Sequence, residues 1–314
     1  MSNIVAGFFL RCAVITNFLR RTLTTRAAWL LLAALAFTMP VAAAQPLQCN
    51  PEAAQATLPG GTVHYLRTGS GPRVVLLHGL FAQKEQWVPM MCLIAIAGHE
   101  VIAPDLPGFG QSAGFPVSVY RLENQVDSLR AFLSDRGIHD FDLAGNSMGG
   151  AIAGLYQRKF PTGVRTLAFI GAPLGVVDWG PRLAAALAQG VNPFIPVTPE
   201  QFSLELSLLF YQPPAVPADV IASLVNGYNS NHAHYLAVWN TIVEYPRALI
   251  NAGVGSVRAL ALWGEADGVY DISGLATLVA LYPGMQAQRV ARTGHLPMVE
   301  HPDDTARSYL EFLR

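Results

Sequence analysis

From about residue 60 to the C-terminus, two hydrophobic rhythms take turns along the chain. Short apolar and β-branched runs fall at 62–67, 73–78, 100–104, 141–144, 166–170, 257–263 and 286–290. Several, such as Val74-Val75-Leu76-Leu77 and Leu260-Ala261-Leu262, are apolar without interruption, as strands covered on both faces are. Between them, apolar positions three and four apart at 85–96, 119–133, 148–160 and 305–313 predict helices. Strands alternating with helices predict an α/β fold, with a mostly parallel central sheet and crossover helices on both of its faces.

The rhythm breaks in two places. Residues 175–255 offer no convincing strand and carry Pro193, Pro196, Pro199, Pro213, Pro214 and Pro217. They are expected to form a mostly helical lid inserted over the strand ends, dividing the core into 45–174 and 256–314. At the N-terminus, a basic stretch from Arg20 to Arg26 precedes an apolar run at 27–37 and the small residues Val41-Ala42-Ala43-Ala44. That is the build of a secretory signal cut after Ala44. The run is shorter than the roughly 20 residues of a spanning helix, so residues 1–44 are read as a signal peptide, with an uncut N-terminal anchor as the second reading. Either one implies export to the periplasm or the extracellular space, and the second adds tethering at a membrane.

Composition narrows the class. With 52% hydrophobic and 13% charged residues the chain can build a sizeable core. The net charge of -1 hides the four arginines of residues 1–44, beyond which 16 basic side chains face 21 acidic ones with no basic patch. Such a body offers a nucleic-acid backbone nothing to hold. Of three cysteines, Cys12 lies in the N-terminal segment; Cys49 and Cys92 are either a disulfide in an oxidising compartment or two free thiols. Nothing in the pattern sets an oligomeric state.

The sharpest chemical signal is Gly145-Asn146-Ser147-Met148-Gly149, a G-x-S-x-G pattern between an apolar strand and a helix. A glycine-flanked serine can also be an ordinary helix N-cap. A serine nucleophile, however, needs a base held in one tautomer by an acid, in the chain order Ser, Asp or Glu, His. Asp267, after the strand ending at Trp263, and His295, after the strand near Val290, fall at carboxyl ends of strands, where open α/β sheets bind ligands. Glu265, Asp271 and Asp178 compete for the acid, and His301 for the base. His232 and His234 lack a third neighbouring ligand, too few for a catalytic zinc.

Five segments in order carry a resemblance: Leu77-His78-Gly79-Leu80, Asp105 to Ser112, Gly145 to Gly150, Trp263 to Asp267, and Gly294-His295-Leu296-Pro297 before Glu300-His301-Pro302. Over about 60–314 the chain resembles the α/β-hydrolase fold family, of the serine esterase and lipase type with a helical lid. The resemblance implies Ser147 as nucleophile, His295 as base and Asp267 as orienting acid. It further implies backbone N–H donors from Leu80, with Phe81 as fallback, and from Met148, and a structural role for His78. Phe81 and Asn146, with Phe202, Leu206 and Phe210 of the lid stripe, are the candidate pocket residues. No metal or organic cofactor is implied. The expected activity is hydrolysis of a small-molecule or lipid carboxylic ester of medium or long acyl chain, with peripheral membrane association as a further expectation. Two other readings stand beside it: a carbon–carbon bond hydrolase of ring-fission diketones, and a binding protein that has lost catalysis.

Overall fold

The computed structural model describes residues 49–314, so the expected signal or anchor lies outside the described residues. Strands β1 (Glu52–Leu58) and β2 (Gly61–Gly69) form a hairpin turning at Pro59-Gly60, where Gly60 takes a φ of 98°. β3 (Arg73–Leu77), β4 (Glu100–Pro104), β5 (Phe141–Ser147), β6 (Val164–Pro173), β7 (Arg258–Gly264) and β8 (Gln286–Val290) complete one eight-stranded sheet in the order β1-β2-β4-β3-β5-β6-β7-β8. β2 is antiparallel to β1 and β4, and the remaining pairings are parallel.

The uninterrupted apolar runs become the central strands because successive side chains enter two different cores. Val75, Leu77, Leu143, Phe169 and Trp263 face one; Val74, Leu76, Ala144, Ile170 and Leu262 face the other. Helices follow the strands: α1 (Val88–Ile96), α2 (Leu122–Asp135) and α3 (Met148–Lys159), then a helical segment, then α9 (Gly274–Leu281), α10 (Pro297–Glu300) and α11 (Pro302–Leu313). α2, α3 and α9 cover the first core with Phe132, Ile152 and Leu278, and α1 and α11 cover the second with Met90, Ile94, Tyr309 and Phe312. The predicted helix at 85–96 divides into a 3₁₀ turn (Lys84–Trp87) and α1. Pro89, which has no N–H to donate to a preceding turn, sets the start of the second piece.

Between β6 and β7 no strand lies among the described residues, and five helices do: α4 (Pro181–Ala188), α5 (Pro199–Leu209), α6 (Ala218–Ser230), α7 (His232–Ile242) and α8 (Ala248–Asn251). α5 starts where Thr198 caps it, accepting the Gln201 N–H at 3.3 Å, with Pro199 in the first turn. Cys49 and Cys92 are joined in a disulfide, Cα atoms 5.5 Å apart, tying the chain ahead of β1 to α1. Among the described residues no helix is long and apolar enough to cross a membrane.

Candidate active site

The chain must reverse from β5 into α3 within one residue, and Ser147 makes the reversal at φ 54°, ψ −119°. That left-handed conformation is strained for a residue with a Cβ and leaves the hydroxyl standing clear of the strand. The flanking glycines are needed for space. A Cβ on Gly145 would stand 2.3 Å from the Gly149 carbonyl oxygen, and one on Gly149 would stand 2.4 Å from the carbonyl oxygens of Leu77 and His78. The Ser147 carbonyl accepts the Leu174 N–H at 3.0 Å, which fastens the turn to the end of β6.

His295 and Asp267 sit on the loops after β8 and β7, and the His295 Nδ1 is 2.8 Å from Asp267 Oδ2. The other carboxylate oxygen, Oδ1, accepts the N–H groups of Val269 (2.8 Å) and Tyr270 (3.0 Å). With both side chains buried and three donors converging on the Asp267 carboxylate, the imidazole presents its Nδ1 proton to Oδ2 and leaves Nε2 as an acceptor. Ser147 and His295 border the same cavity. No hydrogen bond joins them among the described residues, a separation that unliganded catalytic pairs commonly show and substrate closes.

The competing acids are engaged elsewhere. Glu265 faces Arg289 at the surface, Asp178 pairs with Arg247 at 2.9 Å, and hydrogen bonds from the Ser273 side chain and from its backbone N–H hold the Asp271 carboxyl below the usual range. His301 lies ahead of α11 with Nε2 on the Arg292 carbonyl, at 3.2 Å. His232 and His234 begin α7, where the His234 ring stands edge-on to Tyr120 and Tyr235. Among the described residues no group of three or more ligating side chains could hold a metal ion.

The loop that leaves β3 carries Leu80 and Phe81, and Phe81 takes a φ of 56°. The Ala82 N–H closes the turn on the Gly79 carbonyl at 3.3 Å. Beneath it, His78 is fully buried: its Nε2 accepts the Leu106 N–H at 2.9 Å, so Nδ1 carries the proton and donates to the Gly79 carbonyl at 2.8 Å. Burial lowers its pKa and keeps the ring neutral. Asp105, also fully buried, accepts the Lys84 Nζ (2.7 Å) and the backbone N–H groups of Lys84 and Gln111 (both 2.8 Å). Loop and sheet end are thereby locked together. Met148 is the first residue of α3, so its N–H has no partner within the helix and lies beside Ser147.

These pieces border a cavity that opens to solvent between the strand ends and the helical segment. Leu80, Met148, Phe81, Asn146, Phe202 and Leu206 line it. Asn146 does so from a structural position, donating to the Ile170 carbonyl (2.8 Å) and the His295 carbonyl (3.1 Å). Phe210, expected from the sequence to line it, does not. Residues 202, 206 and 209 share one helical face, whereas Phe210 follows the last turn of α5 with extended backbone and packs into the second core near Gly294. Leu209 takes the place expected of Phe210.

Sequence reasoning missed several lining residues, among them Gln86, Trp179, Glu205, Tyr228, Trp239 and Tyr270. It also missed the clamp made by Glu300, whose Oε1 accepts the Gly294 N–H (2.6 Å) and Oε2 the Tyr211 N–H (2.9 Å). Glu300 stood within the family-like segment after His295, which was the available signal; the helical segment offered none.

The sequence model of the α/β hydrolase fold matches residues 72–302. Monoacylglycerol lipase ABHD6 of Homo sapiens is 27% identical over 260 residues, covering 79% of this chain and 77% of that protein. Lipase 1 of Psychrobacter immobilis is 28% identical over 260 residues, covering 81% of each. Among solved structures, a membrane phospholipase A described as a bacterial virulence factor superposes with a TM-score of 0.77 at 30% identity, covering 84% of this chain and 86% of that one.

Proposed function

Because the chain belongs to the α/β-hydrolase fold family, we propose that Ser147, His295 and Asp267 cleave esters of medium and long acyl chains through an acyl-enzyme intermediate. The chain is a carboxylic ester hydrolase, as its lipase relatives are. The acyl preference is the finer part of the proposal, and one observation carries it: the catalytic-type serine and histidine open onto a cavity lined mainly by Leu, Phe, Trp and Tyr.

The steps follow from the geometry. The Ser147 Oγ attacks the ester carbonyl carbon while its proton passes to His295 Nε2, and the imidazolium is stabilised by Asp267. The carbonyl oxygen, now an oxyanion, is received by the backbone N–H groups of Leu80 and Met148. His295 returns the proton to the departing alcohol. A water then repeats the sequence on the acyl-enzyme, giving the carboxylic acid and free Ser147.

The helical segment 175–255 acts in this reading as the lid of the acyl cavity. Residues 1–44 are read as the export signal or anchor, which sets the enzyme in the periplasm or outside the cell, in reach of membrane lipid. A disulfide at Cys49–Cys92 supports an oxidising compartment. Carbon–carbon cleavage of acidic ring-fission diketones is not favoured, since among the described residues no Lys or Arg lines the cavity to receive a carboxylate.

The test is p-nitrophenyl ester hydrolysis from C2 to C16 by the wild type and Ser147→Ala. Activity should rise toward C8 to C12 and vanish in the variant, together with labelling by a fluorophosphonate probe. Activity confined to C2 to C4 would remove the long-chain assignment.

A further inference from the structure

Holding an alkyl chain asks a cavity only to be apolar, and leucine side chains meet that need. This cavity carries in addition a line of aromatic rings that begins at the imidazole beside Ser147. The Tyr270 ring centroid is 5.8 Å from that of His295, Trp179 is 5.1 Å from Tyr270, Trp239 is 5.7 Å from Trp179, and Phe194 is 5.8 Å from Trp239. All four rings border the cavity together with Ser147 and His295.

The line is held by the backbone. Trp179, ahead of α4, forms an antiparallel bridge with Tyr270, and the Gly180 N–H donates to the Val269 carbonyl at 2.7 Å. The Tyr270 N–H donates to Asp267 Oδ1 at 3.0 Å, so the carboxylate that orients His295 also fixes the first ring of the line. Trp239 comes from α7 and Phe194 from the connection between α4 and α5, which carries the line from the strand ends into the helical segment. In the sheet, β6, β7 and β8 lie on one side of β5 and β3 on the other. The rings therefore extend from the His295 side of the site, away from the loop of Leu80 and Phe81.

Their geometry selects the ligand. Interplanar angles of 19° for Trp179 with Tyr270, 18° for Trp179 with Trp239 and 29° for Phe194 with Trp239 make the line a stack, in which the rings cover one another's faces and keep their edges for the cavity. A ring edge carries the positive end of the aromatic quadrupole and attracts the face of another aromatic ring; a saturated chain or ring has no such face to offer. Trp179, half-buried where the other three are buried, is the member most open to a ligand. Among the described residues no Lys or Arg borders the cavity, so a neutral ester suits it and an aromatic anion does not.

We propose that the stack of Tyr270, Trp179, Trp239 and Phe194 is a subsite for an aryl group, so that the enzyme takes arylalkyl esters in preference to their saturated-ring counterparts. The subsite rests on the ester-hydrolase reading given above and adds to it a chemical group that the substrate carries. The same ring can be borne by the acyl or by the alcohol portion, and the test separates the two.

The test compares kcat/KM within two matched pairs: ethyl 4-phenylbutanoate with ethyl 4-cyclohexylbutanoate, and 2-phenylethyl butanoate with 2-cyclohexylethyl butanoate. Cyclohexyl is the more hydrophobic ring, so an apolar wall without ring recognition would favour it. Wild type should favour the phenyl member by about two- to tenfold in at least one pair, the first pair placing the ring on the acyl portion and the second on the alcohol. Trp179→Leu and Trp239→Leu should bring that ratio to one or below, chiefly through KM, and Trp179→Phe should retain most of it. Fluorophosphonate labelling reports whether a variant has folded. If the leucine variants fail to label, the change in wild-type tryptophan fluorescence on titration with 4-phenylbutanamide and 4-cyclohexylbutanamide decides instead, and the phenyl amide should bind more tightly. Cyclohexyl compounds that match or exceed their phenyl partners in both pairs and in the titration, or a ratio unchanged in folded leucine variants, overturn the subsite. Wild type that cleaves none of the four esters removes the ester-hydrolase reading itself, and the amide titration then decides the subsite alone.

Discussion

Ser147 is held at a positive φ by neighbours that cannot give way, since a methyl group at Gly145 or Gly149 would overlap backbone oxygen. The strain is small change against a fold of this size, and it puts one hydroxyl where a base can reach it. Asp267 acts through a second residue. Its three donors fix the orientation of its carboxylate, and the bond it makes to Nδ1 sets which nitrogen of His295 carries the proton. Asp267→Asn keeps the volume but presents an amide that can donate to Nδ1, favouring the tautomer with the proton on Nε2. The variant should fold with unchanged Tm and lose on the order of 10⁴-fold in kcat, a drop that p-nitrophenyl butyrate turnover would reveal and that a merely structural Asp267 would not produce. At this scale the sequence was informative because Ser147, Asp267 and His295 each follow a strand in a short motif. Trp179 and Trp239 were illegible, since their meaning lies in the rings they meet across the fold and not in their neighbours along the chain. Phe210 was misread because a stripe counted in threes and fours runs on past the residue where the helix ends.

Among the elements, the loops after β3 and β4 depend on one another through Lys84 and Asp105. Both side chains are withdrawn from water, so the pair holds only because the Asp105 carboxylate also receives two backbone N–H groups. Lys84→Met would fill the space of the lysine stem and leave a buried carboxylate short of its cation. We expect a loss of about 3–5 kcal/mol, a fall in Tm of roughly 10 °C by calorimetry, and a reduced kcat as the Leu80 loop loosens. A Tm within a degree of wild type would show the pair to be incidental. The helical segment is tied in the same manner: the Leu208 and Leu209 carbonyls, left free at the end of α5, accept the N–H groups of Gly268 and His295. The strands of the sheet interior and the helices after them were legible, since their two-sided burial writes an unbroken apolar run. β1 was not. It is an edge strand that buries only Ala56 and Leu58, and Glu52-Ala53-Ala54-Gln55 carries no alternation strong enough to read. The helix α9 was missed for the opposite reason, its sequence being apolar around the whole circumference.

Taken as a whole, the molecule closes its sheet on one side with α1 and the hairpin β1–β2, and the Cys49–Cys92 bridge joins those two pieces across 43 residues of sequence. From sequence the pairing was open, because two cysteines that far apart fix no distance; the fold brings their Cα atoms to 5.5 Å. In the chain-entropy account, closing a loop of that length removes about 4 kcal/mol of denatured-state freedom. The hairpin is the part that gains most, since β1 has one strand neighbour and few buried side chains. Dithiothreitol should therefore lower the Tm of the wild type by roughly 10 °C. The double variant Cys49→Ser, Cys92→Ser should start from the lower value and be indifferent to the reductant, while catalysis at 25 °C persists in both, because the bridge lies apart from the cavity between the strand ends and the helical segment. A wild type whose melting does not respond to reductant would mean that the thiols are unpaired in solution, and the disulfide would then give no support to export into an oxidising compartment.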